Sequence, residues 1–239
     1  MIGLKVKNII SVNYKMSIYD IINKEGYIVI KNVLTREELA KCSKEIINYI
    51  KNNNTMKNDG GISIPDFIKL KELTQTAELK NNKKIHDTLK EFFKGDDYRF
   101  CSHNDIGINR VVGWHKDKLN GYVSKYETTN IWSQHNGEKH EIVKVLIYLE
   151  NHNNNNDGLK LVPKSHLNPK INSEGYIQLN PELGDVIIFD QRITHRGMER
   201  QVRYPRILVS FGFGKNNIFT DNFEKGTIIR QNKQNNILS

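Results

Sequence analysis

The chain has 239 residues, 37% hydrophobic and 26% charged, and its 36 Lys and Arg against 27 Asp and Glu give a formal charge of +9. That length supports one sizeable core, and the apolar runs are strand-sized, which argues against a membrane span. The positive excess is spread over scattered lysines, so it permits weak contact with anions but does not make nucleic acid an expected partner. Cys42 and Cys101 have no CxxC partner and build no disulfide framework, and a reducing, cytoplasmic compartment fits them best. The opening MIGLKVKNIISVNYK has no long apolar core and no small-residue cleavage site, and is not read as a signal peptide.

In chain order, residues 17–94 read as mainly helical with one strand. Ser17 with Asp20 caps a short helix from Ile18 to Lys24, and Gly26 ends it. Tyr27–Ile30 is a strand. Thr35-Arg36-Glu37-Glu38 is a capping box, with Leu34 and Leu39 placed for the accompanying hydrophobic staple. The helix it opens runs to about Ile50, with Leu39, Ser43, Ile46 and Ile50 on one stripe. Lys51 through Gly61 is a polar loop. Ile85, Leu89, Phe92 and Phe93 mark another amphipathic helix, stopped at Gly95.

From Tyr98 the character changes to strands, expected at 98–103, 106–115, 142–150, 158–163, 176–179, 185–190 and 205–213. Asn151–Asp157 reads as a solvated hairpin loop, and 118–141 as a long polar connection of the kind that flanks a substrate site. Helices followed by many strands predict an α+β chain whose later part is a β-sandwich or barrel.

The chemistry concentrates in two separated segments. On a strand alternate residues share a face, so His115 and Asp117 of Trp114-His115-Lys116-Asp117 point the same way. Such a pair alone is ordinary. His195, just past the apolar stretch Gly184–Asp190, stands where a barrel mouth would complete a triad. Two imidazoles and one carboxylate occupy one face of an Fe(II) octahedron and leave positions for a chelating cosubstrate and O2. Arg206, eleven residues beyond His195, heads the strand Arg206–Phe211, where alternation groups it with Leu208 and Ser210. An inward guanidinium needs an anion, and its fork matches a carboxylate. A dicarboxylate bound to iron at one end and to Arg206 at the other satisfies both; the alternative is that Arg206 belongs to a basic surface run with Arg200 and Arg203.

Together these segments resemble the phytanoyl-CoA dioxygenase family of Fe(II)/2-oxoglutarate oxygenases over roughly residues 17–213. The resemblance begins at Glu25–Leu34, continues through Trp114–Asp117, Lys144–Glu150 and Gly158–His166, and closes with Gly184-Asp185-Val186-Ile187-Ile188-Phe189-Asp190, His195 and Arg206. It implies a double-stranded β-helix, a cupin-like jelly roll with N-terminal and flanking helices. It implies one domain over 1–239, with a mainly helical part at 1–97, the catalytic jelly roll at 98–213 and a C-terminal tail at 214–239. It further implies Fe(II) on His115, Asp117 and His195, 2-oxoglutarate on Arg206, and O2 as co-reactant. Lys144 is a weaker cosubstrate candidate and Ser210 a possible assistant to Arg206.

The expected reaction is hydroxylation of a C–H bond of a small-molecule substrate, with release of succinate and CO2. Asp117 is intact, which argues against a halogenase. Lys164 stands where the family motif has glycine, so a left-handed turn there would be strained. His166 is read as structural or supporting. In the 118–141 loop, Tyr122, Tyr126, Trp132, His135 and His140 are candidate substrate contacts, with both histidines read as surface polar groups. The alternatives are an oxygenase of the same superfamily acting on nucleic acid or protein, and a cupin-like binding module without turnover. No oligomeric state is assigned.

Overall fold

The computed structural model describes residues 16–58, 60–151, 158–197 and 205–236. The loop at 152–157 and Arg200 and Arg203 lie outside the described residues. The N-terminal part comprises α1 (Ile18–Glu25), β1 (Tyr27–Ile30), α2 (Arg36–Asn52), β2 (Met56–Asn58), β3 (Gly61–Pro65), α3 (Thr74–Glu78) and α4 (Lys83–Phe93). Then come β4 (Tyr98–Ile108), β5 (Ile142–Tyr148), β6 (Leu159–Leu161), β7 (Ile177–Leu179), β8 (Val186–Asp190), β9 (His195–Arg196), β10 (Ile207–Lys215) and α5 (Ile218–Asn235).

Local chemistry sets the helix ends. The Ser17 hydroxyl accepts from the Asp20 N–H, and Gly26 closes α1 at φ 88°. Thr35 and Glu38 form the reciprocal capping box of α2. Asn82 caps α4 by accepting from the Lys84 and Ile85 amides, and Ile85, Leu89, Phe92 and Phe93 form its buried face.

Seven antiparallel strands form the large sheet, in the order β1-β8-β5-β10-β4-β3-β2. Alternation divides its residues between two faces. Val143, Val145, Ile147, Val186, Ile188, Val209, Phe211 and Phe213 pack with Leu39, Cys42, Ile46, Ile85, Leu89 and Phe92 of the helices in the main core. Leu146, Tyr148, Ile187 and Phe189 turn the other way, onto Leu159, Leu161 and Leu179 of a smaller sheet ordered β7-β6-β9. A backbone bridge between His115 and His195 prolongs that smaller sheet. The two sheets face each other as the layers of a jelly roll, without closing into a barrel. Among the described residues no helix is long and apolar enough to cross a membrane.

Three local expectations need correction. The strands expected at 98–103 and 106–115 are one continuous strand, β4, which ends at Ile108 and carries a bulge near Ser102 (φ 58°) where its register on β10 shifts. Within the expected polar loop, β2 and β3 form a hairpin that pairs onto β4. After Lys215 the chain is helical: α5 packs on β4 and on the 3-10 turn Gly121–Tyr126.

Candidate metal centre and adjoining cavity

Backbone pairing brings the two halves of the triad together. The amides of His115 and His195 each donate to the other's carbonyl at 2.9 Å, and the Asp117 amide donates to the Gln191 carbonyl at 2.9 Å. Lys116, between the ligand candidates, points away. Its buried ammonium donates to the carbonyls of Ser165 (2.6 Å) and Arg192 (2.7 Å), fastening this strand to the loops beside it.

One ligating atom from each of His115, Asp117 and His195 lies within 4.8 Å of the others. His115 Nε2 is 3.5 Å from Asp117 Oδ1, and His195 Nε2 is 3.4 Å from Asp117 Oδ2. The imidazole tautomers follow from their other nitrogens. Nδ1 of His115 lies 2.8 Å from the Gly113 carbonyl and Nδ1 of His195 lies 3.0 Å from the Ile193 carbonyl. A carbonyl only accepts, so each Nδ1 carries the proton and each Nε2 presents a lone pair, the arrangement a metal-binding histidine needs. Burial, then the neighbouring His115, pushes His195 down to about 3 and keeps it neutral. Burial alone would raise the Asp117 carboxyl, but Lys144, then the two histidines, outweigh it and hold Asp117 well below the usual carboxylate range. The donor set therefore suits a divalent metal.

Lys144 is buried, with its ammonium 2.8 Å from Asp117 Oδ2. It sits at the ligand carboxylate, whereas Arg206 lies beside Tyr148, whose position on β5 is four residues, a rise of roughly 13 Å, beyond that of Lys144. Arg206 is 4% exposed and directed inward. Its Nη2 donates to the Tyr148 hydroxyl at 2.8 Å, and the guanidinium lies 4.6 Å from that ring's centroid. Arg206 Nε is buried with no partner among the described residues, which leaves a donor for an anion. Ser210 donates to the Asp105 carbonyl at 3.0 Å.

These groups line one cavity of about 380 Å³ between the sheets. Its walls include His115, Asp117, Lys144, Tyr148, His195 and Arg206, and it extends past Ser210 to His103 and Asp105 of β4 and Arg230 of α5. From the 118–141 loop it takes Lys118, Leu119, Asn120 and Val123. Tyr122, Tyr126, Trp132, His135 and His140 do not line it. His140 is a correction: it is 3% exposed and packs edge-on against Phe219 because α5 covers it. His135 is exposed in a tight turn, where its amide and carbonyl pair with Glu138. His166 is 1% exposed, and its Nε2 faces the Asn23 carbonyl at 2.9 Å, so it packs beneath α1. Lys164 does adopt the left-handed region (φ 66°), with its amide bonded to the Glu25 carbonyl.

Tyr148, His103, Asp105 and Arg230 carry no motif. For Tyr148, the shared strand face with Lys144 was the available signal; for the others, no local spacing brings β4 to α5.

A family model described as "Phytanoyl-CoA dioxygenase (PhyH)" matches residues 22–201. No curated protein matches the chain. Among solved structures, HygX from Streptomyces hygroscopicus, with nickel and 2-oxoglutarate bound, superposes with a TM-score of 0.63 at 16% identity, covering 82% of this chain and 85% of HygX. SnoN, a non-heme alpha ketoglutarate dependent epimerase from nogalamycin biosynthesis, gives 0.64 at 14% identity over 83% of this chain and 82% of SnoN. AviO1 from Streptomyces viridochromogenes Tue57 gives 0.63 at 16% identity over 84% and 94%. At these identities the likeness is one of fold.

Proposed function

We propose that this chain, which belongs to the phytanoyl-CoA dioxygenase family, is an Fe(II)- and 2-oxoglutarate-dependent oxygenase that hydroxylates a C–H bond of a small molecule. The observation that carries the reading is the triad itself: two imidazoles whose Nδ1 protons are committed to carbonyls, and a carboxylate beside both Nε2 atoms. His115, Asp117 and His195 hold the metal. Arg206, braced by Tyr148, takes the distal carboxylate of 2-oxoglutarate through its fork and its unpartnered Nε. Lys144 orients Asp117 by holding one carboxylate oxygen. Ser210 steadies β4 beside the cosubstrate. When bound, iron with 2-oxoglutarate and O2 supplies oxidative chemistry that releases succinate and CO2. The protein supplies ligand geometry, a walled cavity and substrate orientation.

The basic charge does not argue for a nucleic-acid substrate. Within the cavity, Lys116 is engaged by carbonyls, Lys144 by Asp117 and Arg230 by Asp105, so these three cations are already neutralised or satisfied inside the protein. The test is anaerobic reconstitution with Fe(II) and 2-oxoglutarate, followed by O2 and measurement of succinate. Iron-dependent succinate that disappears in His195→Ala is expected; succinate formation unchanged in that variant would refute the assignment. Product mass separates hydroxylation (plus one oxygen) from epimerisation, the reaction named for SnoN (no change in mass).

A further inference from the structure

One wall of the cavity is built by parts of the chain that the metal and cosubstrate reading does not use. On the inner face of the large sheet, Lys144 of β5 lies opposite Gly212 of β10, and a side chain at Gly212 would press on His103 of β4. The space at Gly212 is taken up by Cys101 Sγ and His103, so glycine lets His103 pack close against β10 beside the row that carries Lys144. In the adjoining row Leu146 pairs with Ser210 and Ser210 with Asp105. Behind β4 stands α5, whose Arg230 donates to Asp105 Oδ2 at 3.0 Å and to Gln234 Oε1 at 2.9 Å.

Two polar atoms of this wall are buried without hydrogen-bond partners among the described residues: Asp105 Oδ1, and His103 Nε2, which lies 3.6 Å from Asp105 Oδ2. Both residues line the cavity, and His103 is 6% exposed. Native structures rarely leave such atoms unsatisfied, so water or a ligand completes them.

We propose that this wall is a substrate-recognition subsite for an uncharged, polyhydroxylated molecule of sugar or cyclitol type, with Asp105 Oδ1 accepting from one substrate hydroxyl and His103 Nε2 engaging a second. The role as substrate site rests on the oxygenase reading above; the binding chemistry does not. An ionised carboxylate oxygen is an acceptor only, so its partner must carry an O–H or N–H. Burial, then Lys144, pushes His103 down to about 3, so this imidazole is neutral and offers no charge to an anion. Arg230 is already engaged by Asp105 and Gln234, and its charge cancels that of Asp105. A phosphate would meet the unpartnered carboxylate oxygen and be repelled. An acyl chain would leave both orphan atoms unsatisfied. The whole cavity, about 380 Å³ including the space beside the triad and Arg206, is at the small end of ligand sites of roughly 300–1,000 Å³ and limits the substrate to a small molecule, no larger than a monosaccharide.

Saturation-transfer NMR on the full chain without metal, in saturating 2-oxoglutarate so that Arg206 is occupied, tests this, with myo-inositol and methyl glucoside as probes and hexanoate and pyrophosphate as controls. The polyols are expected to bind and the controls not to. Asp105→Asn and His103→Phe should each weaken polyol binding at least tenfold while retaining the wild-type far-UV spectrum. His103→Phe leaves the Asp105–Arg230 pair intact, so it decides the matter if Asp105→Asn fails to fold. Equal polyol binding by wild type and His103→Phe, absence of polyol binding, or selective binding of hexanoate or pyrophosphate would overturn the proposal. If polyols bind as expected but the protein makes no complex with Fe(II) and 2-oxoglutarate, the oxygenase reading fails and the subsite stands. If that complex forms and polyols do not bind, the subsite fails alone.

Discussion

Arg206 and Lys144 are both buried cations, yet each meets a different partner, and that difference predicts different defects. Arg206 presents its fork beside Tyr148, with one nitrogen unpartnered. Removing a charged hydrogen-bonding partner costs about 1.5–3 kcal/mol, so Arg206→Ala should weaken 2-oxoglutarate binding roughly 10- to 100-fold while metal affinity holds, as read by calorimetry. Lys144 instead touches Asp117. Lys144→Met should lower metal affinity about 10- to 100-fold, the usual effect of losing a group that orients a ligand. Unchanged metal affinity in Lys144→Met would return Lys144 to the role of cosubstrate contact. Asp105 supplies a pH signature. Burial would raise its carboxyl, but Arg230, His103 and Lys144 together bring it down to about 2 from 3.8. A depressed folded value stabilises above the unfolded one and is lost as pH falls through the folded one. The stability gap between wild type and Asp105→Asn should therefore be on the order of 2 kcal/mol at neutral pH and close between about pH 4 and pH 2, as followed by urea unfolding. At this scale the sequence shows His115, Asp117, His195 and Arg206 plainly, because strand alternation and spacing are local. It hides the Asp105–Arg230 pair, whose members are 125 residues apart.

Among the elements, those with local instructions are the ones legible before folding. The Thr35–Glu38 capping box starts α2 where its residues say it should. Thr35→Ala should cost about 1 kcal/mol in denaturant unfolding without altering ligand binding. The corner between β1 and β8 depends on Gly184, which adopts φ 97° and accepts from the amides of both Val33 and Leu34. A Cβ there would collide with the Leu34 carbonyl oxygen. Gly184→Ala should destabilise by at least about 1–3 kcal/mol, more than the cap, because backbone rather than a mobile side chain must shift. By contrast α5 has no apolar stripe. Of its buried residues, Phe219, Thr220, Phe223, Gly226, Thr227 and Gln231, only the two phenylalanines are hydrophobic, because the helix covers a polar wall. Gly226 takes Leu119 against its backbone, a packing that no periodicity announces. The hairpin of β2 and β3 is similarly hidden, since edge strands tolerate the Lys, Asn and Gly that also make loops.

At the scale of the whole molecule the large sheet divides the labour. One face buries the helices in the main core, and the other opens onto the cavity that holds the metal triad, Arg206 and the polar wall. The fold class was readable because apolar strands and capped helices follow one another in an order that permits few layers. The depth and polarity of the cavity were not, because they arise where β4, β5, β10 and α5 converge. Anaerobic visible absorption of the purified protein with Fe(II) and 2-oxoglutarate tests the central claim most directly. A charge-transfer band that needs both additions, vanishes in Asp117→Ala and weakens in Arg206→Ala is the predicted result. A well-folded wild-type protein that shows no such band would contradict it and leave a jelly roll that binds without oxidising.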